Sequence, residues 1–124
     1  MHAHEDFVAR WAAFWAAPDP ARTGELSAPG IVLHWPGRPE PLRGIEAWSA
    51  QVAAALDRLP DLRLAVVDHA AGRDGCFIAW RASATVAGRR LEWEGVDRMA
   101  LSDGLVTAST VVFDTAVLRP PAAG

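Results

Sequence analysis

The chain has 124 residues, 51% hydrophobic and 22% charged, with a formal net charge of -3 and a pI of about 5.7. This is the composition of one ordinary globular domain, 1–124, long enough to close a single core. The 12 basic residues are all arginine and are scattered, which argues against the clustered basic stripe of a nucleic-acid binder, and no apolar run is long enough to span a membrane.

Phe7, Trp11, Phe14 and Trp15 fall at i, i+4, i+7 and i+8, which predicts an amphipathic helix over 4–17, ended by Pro18. Asp19-Pro20 is an N-cap followed by proline at the first helical position, so a short helix is expected over 20–27 until Pro29-Gly30 breaks it. IVLHW, 31–35, is β-branched and apolar and reads as a strand. The proline-dense PGRPEPLRG, 36–44, reads as loop. Ile45, Trp48, Val52, Leu56 and Leu59 share a helical face, predicting a helix from 45 to about 59 that stops at Pro60. The period then changes to two. Strands are expected over 62–70, 76–86, 91–101 and 105–118, and short Gly- and Asp-rich spacers favour antiparallel hairpins between the later ones. The tail, 119–124, is expected to fray. Helices first and strands after them indicate an α+β fold, with a curved antiparallel sheet wrapped around three helices. Imperfect closure between the layers leaves a ligand cavity.

Cys76 is the only cysteine, so no intrachain disulfide can form. The N-terminal MHAHEDFVAR lacks the basic and apolar regions of a secretory signal. A cytoplasmic location is the expectation.

In LEWEGVDRMAL, strand alternation puts Leu91, Trp93, Gly95, Asp97, Met99 and Leu101 on one face and Glu92, Glu94, Val96, Arg98 and Ala100 on the other. Asp97 is the one carboxylate on an otherwise apolar face. Burial there disfavours the charged form and raises its pKa, and a neutral carboxyl can donate to a developing oxyanion. The alternative is a core aspartate satisfied by the backbone or by an indole donor such as Trp11 or Trp15. His34 is a candidate general base, or else a half-exposed strand histidine. Asp114 is a further candidate carboxylate, on a strand whose two faces are too alike to orient it. His69 reads as a surface residue, and His2 and His4 lack a third ligand, so neither a metal nor a cofactor is expected. Six tryptophans without a tyrosine is unusual. Trp11, Trp35, Trp80 and Trp93 are placed on the cavity wall, and Trp15 and Trp48 either join them or fix the helices to the sheet. Ile78, Met99, Val111 and Phe113 complete the expected ligand contacts. The competing reading is that all of these are core bulk. No phosphate loop, zinc-spaced cluster or nucleophile elbow is present.

The segments VARWAAFWAAPD (8–19), IVLHWPGRPEPLRG (31–44) and EGVDRMALSDGLV (94–106), in this order of elements, resemble the SnoaL-like polyketide cyclase branch of the nuclear-transport-factor-2-like superfamily, whose cone-shaped fold is shared by ketosteroid isomerases. The resemblance covers nearly the whole chain. It implies a small-molecule enzyme without a cofactor, and a homodimer. It places Asp97 where isomerases carry a protonated aspartate. Trp11 stands where they carry an oxyanion tyrosine, and an indole N–H is still a donor. Trp35, before Pro36, stands where they carry the general base, and Val111 where cyclases carry an acidic residue. Fold alone does not settle function. The expected enzyme isomerises, cyclises or dehydrates an apolar carbonyl compound through an enol(ate), with Asp97 as neutral acid and His34, Asp114 or water taking the proton. The alternative is a protein that binds a hydrophobic small molecule in the same pocket without turnover. A third reading is a structural dimer module.

Overall fold

A computed structural model describes residues 3–114, and in it the N-terminal helical period becomes α1, Ala3–Ala16. Its stripe of Phe7, Val8, Trp11, Phe14 and Trp15 is buried. The second helical segment is a 3-10 helix, Pro20–Glu25, shorter than the sequence suggests. The Asp19 carboxylate accepts from Ala21 N at 2.9 Å, a side-chain cap on a helix that opens with proline. Helix α2, Ile45–Arg58, begins after Gly44, whose φ of 90° is the left-handed region that glycine tolerates best.

The strands are β1 (Ser27–His34), β2 (Leu42–Arg43), β3 (Arg63–Ala71), β4 (Gly75–Val86), β5 (Arg89–Ser102) and β6 (Leu105–Phe113). They form one sheet in the order β2-β1-β6-β5-β4-β3. The last four strands are the expected antiparallel meander. The sheet as a whole is mixed, because β1 runs parallel to β6. After β1 and β2, α2 carries the chain to the far edge of the sheet, so no hairpin sets the direction in which β1 meets the last strand. Strand β1 also starts at Ser27, ahead of the expected 31, with a register shift that lets Pro29 and Gly30 stand away from β6. The proline-rich loop contains the two-residue β2. The expected strand residues 115–118 and the tail lie outside the described residues.

Two further irregularities curve the sheet. Val67 is an extra residue in β3 and Thr107 an extra residue in β6, and such bulges bend a strand and re-aim its side chains. The concave face holds the core. Cys76, Ile78, Trp80, Ala82 and Ala84 of β4 are all buried on it, as their alternation predicts, and α1 packs on β3 and β4 from the same side. Among the described residues no helix is long and apolar enough to cross a membrane.

Candidate active site

Between the helices and the concave face lies a cavity of about 120 Å³. A single water needs only about 10–15 Å³ on that measure, so the space exceeds a packing defect. All six tryptophans line it, together with Met99, Val111, Phe113 and Asp97. Of the expected ligand contacts only Ile78 is elsewhere; it is fully buried in the core and forms no part of the wall.

The aromatic rings form a continuous belt. Trp11 meets Trp15 at 6.1 Å between centroids, Trp15 meets Trp48 at 6.2 Å, and Trp48 meets Trp35 at 6.2 Å. Trp35 meets Phe113 at 6.0 Å and Phe113 meets Trp80 at 5.8 Å, both edge-to-face. These separations are those of favourable aromatic pairs. The two ends of the belt come together at Asp97, to which Trp80 donates a hydrogen bond and on whose charged form the Trp11 indole exerts a weaker favourable pull.

Asp97 sits on β5 between Ile78 of β4 and Val111 of β6, each directly opposite it. Trp80 Nε1–H donates to Asp97 Oδ1 at 3.0 Å. The indole reaches the carboxyl because its opposite residue on β5 is Gly95; a Cβ there would overlap the Trp80 ring and crowd the Val112 carbonyl. The room that Gly95 leaves beside Asp97 is therefore filled by Trp80. By area Asp97 keeps partial exposure, since it borders the cavity, yet its carboxyl is densely enclosed by protein. Burial pushes its pKa up to about 7, against the weaker opposing pull of the Trp80 and Trp11 donors. The Cys76 thiol is pushed up to about 11, by burial first and then by the nearby Asp97 charge, which makes it a packing residue.

His34 is exposed and is not among the residues lining the cavity. Its neighbours Leu33 and Trp35 both line the cavity, so strand alternation turns the imidazole to the other face. Asp114 is also exposed and does not line the cavity. His69 is exposed on β3, its ring 5.3 Å from that of His4.

The wall also contains polar residues that the sequence reading passed over: Ser27, Gln51, Arg58 and Ser109. Gln51 and Arg58 are seven apart on α2, with Ala55 between them, one helical stripe beside the apolar one. That spacing was available in the sequence. The placement of Ser109 was not, because it depends on the bulge at Thr107.

A family model for the SnoaL-like domain matches residues 8–109. No curated protein matches the chain. Among solved structures, a candidate SnoaL-like polyketide cyclase from Jannaschia sp. CCS1 is 21% identical, with a TM-score of 0.79 over 96% of this chain and 94% of that one. IdmH, a candidate polyketide cyclase from Streptomyces antibioticus, is 23% identical, with a TM-score of 0.80 over 92% of this chain and 94% of its own. TerC, crystallised with polyporic acid, is 17% identical, with a TM-score of 0.81 over 94% and 95% of the two chains. At these identities the structures share the fold, and with the family match over most of its length, the chain belongs to the SnoaL-like domain family.

Proposed function

We propose that the protein is a cofactor-independent enzyme that isomerises, cyclises or dehydrates an apolar carbonyl compound through an enol(ate). The observation that carries this reading is a single protonatable carboxyl on the wall of a tryptophan-lined cavity, poised near neutrality. A group whose pKa lies near the working pH is present in its acid form and still transfers its proton readily. Neutral Asp97 donates to the carbonyl oxygen of the ligand and stabilises the negative charge that develops when the α-proton leaves. Such a donor acts strongly on a wall that is mostly apolar, where few other polar groups compete with it. The described wall carries no second carboxylate and no histidine, so the α-proton goes to water.

The test is the exchange of α-protons for deuterium in a bound ketone such as 2-tetralone, followed by NMR in deuterated buffer. Catalysed exchange that falls roughly 100- to 1000-fold in Asp97→Ala is the expected result. The missing wall base favours a second reading, ligand binding without turnover, and tight binding of the ketone with no exchange above background would establish it instead. The homodimer implied by the family resemblance is proposed to form through the convex face of the sheet, where Phe77, Val96 and Val112 are exposed.

A further inference from the structure

The far side of Asp97 from the aromatic belt holds a polar group that the reaction leaves unused. Ser109 on β6 lies directly opposite Met99 on β5 and beside Leu33 on β1. It lines the cavity, is only 4% exposed, and its hydroxyl makes none of the side-chain hydrogen bonds found among the described residues. No side-chain nitrogen or oxygen among those residues is both sealed off and without a partner, so the Ser109 hydroxyl keeps its access through the cavity. An unpaired hydroxyl in an apolar wall is costly unless something in the cavity bonds to it.

The backbone is arranged to put it there. In β6, Val106 faces the cavity, and simple alternation would turn Ala108 inward next and Ser109 outward. The extra residue Thr107 shifts the register, pairing Ala108 with Ala100 and Ser109 with Met99, so Ser109, Val111 and Phe113 share the inner face. The Thr107 hydroxyl donates to the Ala100 carbonyl at 3.3 Å across the irregularity. Bulges beside active sites commonly re-aim a side chain in this way. Asp97 pairs with Val111, two residues along β6 from Ser109, so the carboxyl and the hydroxyl are diagonal neighbours on one face. Such neighbours have Cα atoms about 7–8 Å apart, close enough for one ring system to touch both side chains.

We infer that Ser109 forms a second polar subsite, which binds a neutral oxygen function of the ligand, hydroxyl or carbonyl, beyond the carbonyl held by Asp97. Ser109 is then the residue that separates ligands with two oxygen functions on one edge or adjacent edges from ligands with one. The inference rests on the reading of Asp97 as the group that holds the first oxygen. Ser27, also buried and on the cavity wall, stands beyond it, next to Val106.

The experiment compares 1-naphthol, with one oxygen, against naphthalene-1,3-diol and naphthalene-1,8-diol. Binding is read by tryptophan fluorescence and calorimetry, for the wild type, Ser109→Ala and Asp97→Ala, at about pH 6 where Asp97 is mostly neutral. The wild type is expected to bind the better diol roughly 3- to 10-fold more tightly than naphthol, the worth of one hydrogen bond. Ser109→Ala is expected to bring the diol-to-naphthol affinity ratio to about one, a ratio that a merely structural role would not move. An unchanged diol-to-naphthol ratio in Ser109→Ala overturns the subsite. If naphthol binding still weakens in Asp97→Ala, the Asp97 reading stands without it. Failure of all three probes to bind the wild type overturns both.

Discussion

Asp97 links the stability of the fold to pH in an unusual direction. Its folded pKa of about 7 lies above the ordinary carboxylate value of 3.8, so between those pH values the folded state holds a proton that the unfolded state has released. Its contribution is fully present below about pH 4 and is lost as pH rises through 7. The loss amounts to at most on the order of 4 kcal/mol, reduced by whatever water reaches the carboxyl through the cavity. Asp97→Asn has no proton to lose. It is expected to match the wild type near pH 4 and to exceed it in melting temperature at pH 8; equal melting curves for the two proteins at every pH would contradict the burial argument. The catalytic reading shares the sign, with turnover falling as pH rises through about 7. Trp80→Phe sharpens the test. Its indole stabilises the carboxylate, so removing that donor is expected to raise the Asp97 pKa further above 7, read from carboxyl-carbon chemical shifts. The position of Asp97 was legible in LEWEGVDRMAL because alternation alone put it among apolar side chains. Its partner was not: Trp80 is 17 residues earlier, and only the β4–β5 register brings its opposite residue, Gly95, under the ring.

At the level of elements, α1 is held by more than its apolar stripe. Arg10 donates from Nη2 to the Gly104 carbonyl at 2.8 Å and from Nη1 to the Glu25 carbonyl at 3.4 Å. It thus ties α1 to the β5–β6 turn and to the end of the 3-10 helix, while its guanidinium lies over the Phe7 ring. The exposed pair with Asp6 adds little by comparison. Arg10→Ala is expected to lower stability by about 1–2 kcal/mol in urea unfolding, and Asp6→Ala by well under half of that. Gly95→Ala tests the meeting of β4 and β5. The added methyl forces Trp80 aside, with an overpacking penalty of about 1–3 kcal/mol and loss of the Trp80–Asp97 hydrogen bond. The helices and the meander could be read from the 3.6- and 2-residue periods, since each buries one continuous face. What could not be read were the features set by long-range pairing: β1 beside β6, the two-residue β2 inside a proline-rich loop, and the bulges at Val67 and Thr107. The last of these decides which face of VTASTVVF meets the ligand. Alternation by itself leaves that segment ambiguous, because both of its faces mix small polar and apolar residues.

Across the whole molecule, the sheet has two unlike faces. The concave one is closed by helices, while the convex one has no covering layer among the described residues. There Ala79, Val96 and Val112 form one transverse row over β4, β5 and β6, with Val96 40% and Val112 62% exposed. Phe77, 40% exposed, stands on the next row, opposite Arg98. The Arg81–Glu94 pair at 3.8 Å borders the row on the other side. An apolar strip between charges of both signs suits an isologous contact, because a two-fold axis through the strip sets apolar side chains against their own copies and lets arginines meet glutamates across it. Strand alternation in the sequence put Val96 and Arg98 on this face but did not show the strip, since Val96 and Val112 become neighbours only through the β5–β6 register. If a dimer forms here, Val112→Lys places like charges at the centre of the contact, on the face of β6 turned away from the cavity. Light scattering coupled to size exclusion is expected to show the wild type at twice the mass of the chain and Val112→Lys at the monomer mass, with the Asp97 titration unchanged in both. A wild type that is monomeric at micromolar concentration would leave the strip as surface.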